Sequence, residues 1–237
     1  MKIVTNTKLI KRNSTIGKYS SIGALVILGI GLYITFKYPD KFIYSMGCLL
    51  LGFLLSQFGI YFGNRWGRNP RPDQLINKNL KGLGREYSLY HYSTPASHLL
   101  LGPPGAWVIL PYHQGGNIIY NGKRWQVKGG GFARSYLRIF GQENIGRPEF
   151  EAESEIRAIT KYLQRVVPGG IQSMEVKAAL LFTDPKVNLE LNNPPLPAMT
   201  PKDLKEFFKN LAKEEPLPDH SLGTIRKSLP QPDKEEE

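Results

Sequence analysis

Ser97-His98-Leu99-Leu100-Leu101-Gly102-Pro103-Pro104-Gly105-Ala106-Trp107-Val108-Ile109-Leu110-Pro111-Tyr112 is the stretch on which the fold turns. Two apolar runs, 99–101 and 106–110, flank a Gly-Pro-Pro-Gly turn, the pattern of two antiparallel strands. Neither run alternates with polar residues, so both strands are expected to be buried on both faces, at the centre of a sheet. Upstream, residues 73–83 fit a short helix ended by Gly82 and Gly84, and 87–92 alternate as a strand does. Downstream, 117–120 and 124–127 predict a hairpin across Asn121-Gly122, a type I′ turn signal.

The central stretch resembles the nuclease-related domain (NERD) family, a branch of the PD-(D/E)XK nuclease fold. That family has Asp-His, three apolar residues and Gly-Pro-x-Gly. An aromatic, two apolar residues and Glu-x-Lys follow, and later a Gly-x-Ile and a Trp. His98, Leu99, Leu100, Leu101, Gly102, Pro103, Gly105, Trp107, Val108, Ile109, Gly116, Ile118 and Trp125 fit this pattern, which extends over roughly residues 80–211. The resemblance implies an α/β (α+β) domain with a mixed sheet and an αβββαβ core.

Three positions depart from the family's pattern. Its Asp falls on Ser97, its Glu on Leu110 and its Lys on Tyr112. In such nucleases two carboxylates hold a hard divalent metal and the Lys adds a fixed positive charge beside the reacting phosphate. A hydroxyl, an aliphatic chain and a phenol cannot do this together. The resemblance therefore implies the shell of a nuclease without catalytic residues, metal or cofactor.

Residues 148–167 form the clearest amphipathic helix, with Ala152, Ile156, Ile159, Leu163 and Val166 in one stripe and Pro148 in the first turn. The family opens this helix with Asn-Pro-x-x-Gln; Arg147, Pro148 and Glu151 stand at those places. Glu149, Glu151, Glu153 and Glu155 suit the helix N-terminus, and their odd spacing predicts a solvated acidic face. A strand is expected over 175–182. A last helix is expected from Thr200, with Leu204, Phe207, Phe208 and Leu211 as its apolar face. Residues 214–237 are polar and contain prolines, and are expected to be a disordered tail. Lys128 followed by three glycines lacks the ending of a P-loop and reads as a connector. With Arg134 and Arg138 it offers at most a small polyanion contact.

The net charge of +11 is unevenly placed: residues 1–81 hold twelve Lys or Arg against Asp40 and Asp73, and the rest is nearly balanced. Basic residues beside apolar runs are first a matter of membrane orientation, which leaves nucleic acid weakly supported as a partner. Runs 19–36 and 42–64 carry no charge, and each approaches the length that crosses a hydrocarbon core of roughly 30 Å. No small-x-small cleavage site follows the first run, against a signal peptide. The chain is thus expected to comprise a basic arm (1–18), a two-helix transmembrane hairpin (19–64), a basic linker (65–79), the NERD-like domain (80–213) and the tail. Arg65, Arg68 and Arg71, with the basic arm, place both termini in the cytoplasm and make the lipid bilayer a partner. The single Cys48 excludes an intrachain disulfide and a Cys-based zinc site, and the four scattered histidines show no helical ligand spacing.

The expected function is a membrane-anchored, non-catalytic NERD-like module that binds or scaffolds at the cytoplasmic face. The alternative is a metal-dependent nuclease whose acids have moved, with Glu86, Glu143 or Glu151 approaching the sheet, together with His98.

Overall fold

The computed structural model describes residues 1–128, 145–167, 174–214, 216 and 219–231. The chain divides into two compact units. One is Thr7–Pro72; the other joins Met1–Asn6 to Asp73–Glu237.

The first unit is a helical hairpin of α1 (Thr7–Lys37) and α2 (Phe42–Phe62), the second continuing through a π-helical turn, Gly63–Gly67. At 1.5 Å per residue the 21 residues of α2 span about 31 Å. Both helices are long and apolar enough to cross a membrane. Small residues form the seam between them. A Cβ on Gly59 would lie 2.3 Å from Ser21 Oγ and 3.0 Å from its backbone N, and one on Gly31 would lie 2.8 Å from Cys48 Cβ. Removing side chains there lets the backbones approach closely. Ser45 Oγ donates to Gly31 O (3.1 Å) and also contacts Thr35 Oγ1, so the hydroxyls in the seam are satisfied. The outward surface is apolar, with Leu25, Phe36, Phe42 and Ile43 among its most exposed side chains.

The second unit is mixed α/β. Its main sheet has the order β1-β2-β3-β4-β7-β9: β1 (Lys2–Thr5), β2 (Ser88–His91), β3 (His98–Gly102), β4 (Gly105–Tyr112), β7 (Val176–Phe182) and β9 (Ala198–Met199). β2, β3 and β4 form an antiparallel meander, while β1 joins β2, β7 joins β4 and β9 joins β7 in parallel. A second sheet sets β5 (Gly116–Tyr120) between β6 (Trp125–Lys128) and β8 (Val187–Leu191). β3 and β4 are buried on both faces except at Pro111, as their unbroken apolar runs require. Gly102 pairs with Gly105 across the two prolines. Gly105 has φ +101°, which suits glycine, and a Cβ on Gly102 would lie 2.4 Å from the Tyr87 ring.

Period-two alternation sends the strands' side chains to two cores. Leu89, Leu100, Trp107, Ile109 and Leu181 pack with α3 (Pro72–Leu80) and α5 (Leu204–Glu214) on one face. Tyr90, Leu99, Leu101, Val108, Leu110 and Leu180 pack with α4 (Pro148–Val166) and α6 (Asp219–Ser228) on the other. The chain order therefore runs helix, three strands, helix, strand through α3, β2–β4, α4 and β7.

Four expectations need correction. The basic arm is not a separate segment: Lys2–Thr5 is an edge strand, held by Lys2 N to Tyr87 O and Asn6 N to His91 O, both 2.9 Å, and α1 begins at Thr7. The isolated pair Ile3-Val4 was too short to show a strand period among basic residues. The linker ends earlier than expected, because α3 starts at Pro72 and buries Ile76 and Leu80 completely. The hairpin turn holds four residues, since Tyr120 pairs with Trp125; Asn121 Oδ1 accepts from Lys123 N and Arg124 N in place of a type I′ turn. The tail is partly folded: α6 buries Leu222 and Ile225, and Leu229 follows into the same core. Their spacing of three and four is a helical stripe that the surrounding polar residues obscured.

Candidate functional site

The positions that depart from the nuclease pattern come together on the α4 face of the sheet. Leu110 and Tyr112 alternate on β4 toward that core. Ser97 immediately precedes β3, at the end where Leu99 pairs with Val108, and its bonds to Glu155 bring it to the same helix that Tyr112 meets. Ser97, Leu110 and Tyr112 thus share one end of the central strands, and all three are buried.

α4 meets this end with its first two turns. Glu155 accepts from Ser97 twice, from Oγ at 2.7 Å and from the backbone N–H at 3.1 Å. Glu151 accepts from the Tyr112 hydroxyl at 2.6 Å, and Glu149 from Trp125 Nε1 at 2.7 Å. The expected solvated acidic face is therefore corrected for Glu149 and Glu155, which are partly buried against the sheet; Glu151 and Glu153 are exposed, although Glu151 also takes the Tyr112 hydroxyl. Glu151 and Glu155 are one helical turn apart and lie on one side, a spacing the odd-number reasoning passed over. Glu149 reaches the sheet because it sits in the first turn, where the indole of Trp125 meets it.

The electrostatics follow from that placement. Burial pushes the Tyr112 phenol well above its ordinary pKa, and the hydrogen bond to Glu151 and the charges of Glu151, Glu149 and Glu155 push it the same way. Tyr112 is held as a donor and does not serve as a base near neutral pH. Each of the three carboxylates is engaged by a different neutral donor. Among the described residues no group of three or more His, Cys, Asp or Glu side chains is placed to hold a metal ion.

The remaining expected residues scatter. Glu86 is exposed and precedes Ser88, whose partner Leu101 lies at the opposite end of β3 from Ser97. Lys128 is exposed at the end of β6. Glu143, Arg134 and Arg138 lie outside the described residues. His98 points to the other face, where its Nδ1 lies 2.7 Å from Nδ1 of His91, its partner across the strands. His91 Nε2 lies 3.0 Å from Asn77 Oδ1 on α3. With that oxygen accepting, Nε2 of His91 carries the proton and its Nδ1 accepts from His98. Burial lowers the His91 pKa to about 4, and the charge of nearby Asp73 opposes the shift. This polar cluster lies in the core on the opposite side of the sheet from the glutamates.

No family model, no curated protein and no solved structure matches the chain.

Proposed function

We propose that the protein is a membrane-anchored, non-catalytic relative of the NERD nucleases, working as a binding or scaffolding module at the cytoplasmic face. One observation carries the non-catalytic reading: Ser97 and Tyr112, at the places of the family's Asp and Lys, spend their hydroxyls on Glu155 and Glu151. The chain order α3-β2-β3-β4-α4-β7, with β4 parallel to β7, supports the PD-(D/E)XK-like core.

The anchoring reading draws on the connectivity. The helical hairpin is inserted between β1 and α3, while β1 and β2 lie in one sheet. A membrane insertion whose two ends meet in one sheet must cross an even number of times, so the two apolar helices are read as two spans. The basic residues Arg65, Arg68 and Arg71 favour the cytoplasm for that shared side.

A second reading keeps the glutamates as a relocated metal centre, favoured by the approach of Glu149, Glu151 and Glu155 to Tyr112. The test is to incubate the full-length protein in detergent with single- and double-stranded DNA and RNA plus magnesium or manganese. We expect no cutting. Metal-dependent cutting that is lost in both Glu151→Gln and Glu155→Gln would establish the relocated centre and remove the non-catalytic reading.

A further inference from the structure

Arg226 lies on α6, one residue after Ile225 and one turn after Leu222, both buried in the core beneath that helix. Its Nε and Nη2 atoms are themselves buried, and neither donates a hydrogen bond. These two donors form one edge of the guanidinium plane, the edge that receives the paired oxygens of a phosphate or a carboxylate. The residue as a whole is partly exposed, while this edge is enclosed. A guanidinium does not lose its proton to escape burial, unlike a buried Lys or His.

The surroundings suit an oxyanion. Tyr90 and Ser88 of β2 are buried and hydrogen-bonded to each other, and Tyr162 of α4 is close by. Burial raises the Tyr90 pKa, while the Ser88 hydrogen bond and the Arg226 charge pull against it, so the guanidinium stands near that phenol. Tyr162 is an electrostatic neighbour of the same phenol. A cation with an unbonded bidentate edge thus stands near the Tyr90 phenol, which Ser88 and Tyr162 adjoin.

We propose that Arg226, with the hydroxyls of Ser88, Tyr90 and Tyr162, forms a binding site for a small oxyanion of the phosphate or carboxylate class. The site draws on β2, α6 and Tyr162 of α4, and shares no residue with the contacts that Glu149, Glu151 and Glu155 make to Trp125, Tyr112 and Ser97. It does not depend on the nuclease resemblance.

Thermal unfolding of the full-length protein in detergent tests this, with inorganic phosphate and acetate titrated separately at constant ionic strength. The wild-type midpoint should rise and saturate with at least one of the two, and which one distinguishes a phosphate site from a carboxylate site. Arg226→Met should abolish the rise. Arg226→Lys keeps the charge without the fork and should bind about tenfold more weakly or worse. Should Arg226→Met not fold, the Lys variant carries the comparison. No saturable rise with either anion, or an equal rise in wild type and variants, overturns the proposal.

Discussion

The Tyr112 hydroxyl donates to Glu151 at 2.6 Å, linking β4 to the first turn of α4. In the family that the sequence resembles, these two places carry a Lys and a Gln. Here they carry a neutral donor and a charged acceptor, and the bond between them ties the helix to the end of the central strand.

The first prediction concerns alkaline stability. The folded-state pKa of Tyr112 lies above the ordinary value of 10.0, so the folded protein holds this proton more tightly than the unfolded chain. Its contribution is complete below pH about 10 and is lost as the pH rises above that value. Tyr112→Phe should flatten this alkaline limb. Near neutral pH it should cost about 1 kcal/mol, because Glu151 is exposed and water can replace the lost donor. Unfolding midpoints of both proteins across the alkaline range check this.

The acid limb belongs to His91. Its folded pKa of about 4 lies below the ordinary 6.5, so the unfolded chain takes up the proton first as the pH falls. Stability should therefore be lost from pH about 6.5 down to about 4, by up to about 3 kcal/mol in all. His91→Gln should blunt that loss. Equal acid slopes in variant and wild type would remove His91 as its source.

In the helical hairpin, Gly59→Val forces a Cβ against Ser21, including its backbone. Overpacking of this kind costs about 1–3 kcal/mol, and the detergent-solubilised protein should melt earlier. Gly29→Ala is the control: nothing lies within 4 Å of its would-be Cβ, and Ala favours a helix over Gly. It should leave the midpoint unchanged or raise it.

The N-terminal strand gives a prediction about fragments of the chain. A fragment beginning near residue 70 lacks β1 and exposes the edge of β2, a row of unpaired backbone groups. It should be less stable and prone to associate. Joining residues 1–6 to 73–237 through a flexible linker should raise the melting temperature and reduce association relative to that fragment, as read by thermal melting and light scattering.

The central hairpin was legible because 99–101 and 106–110 are apolar without interruption, a pattern that only a doubly covered strand satisfies. α4 was legible for a related reason: its apolar stripe repeats over about four turns, long enough to fix both the period and the buried face. β1 and α6 were not. Their apolar residues are few, and each depends on distant segments, Lys2 lying beside Gln231 at the two extremes of the chain.

The sequence alone determined that two apolar helices precede most of the mixed domain, and which strands form its centre. These are local facts, carried by composition and period. Only the tertiary structure decided where the glutamates go. Whether Glu151 and Glu155 face water or sheet depends on how α4 is rotated over β4, which is set by side chains far apart in the chain packing into one core. The same holds for Arg226, whose Nε and Nη2 are enclosed only when α6 packs against the sheet.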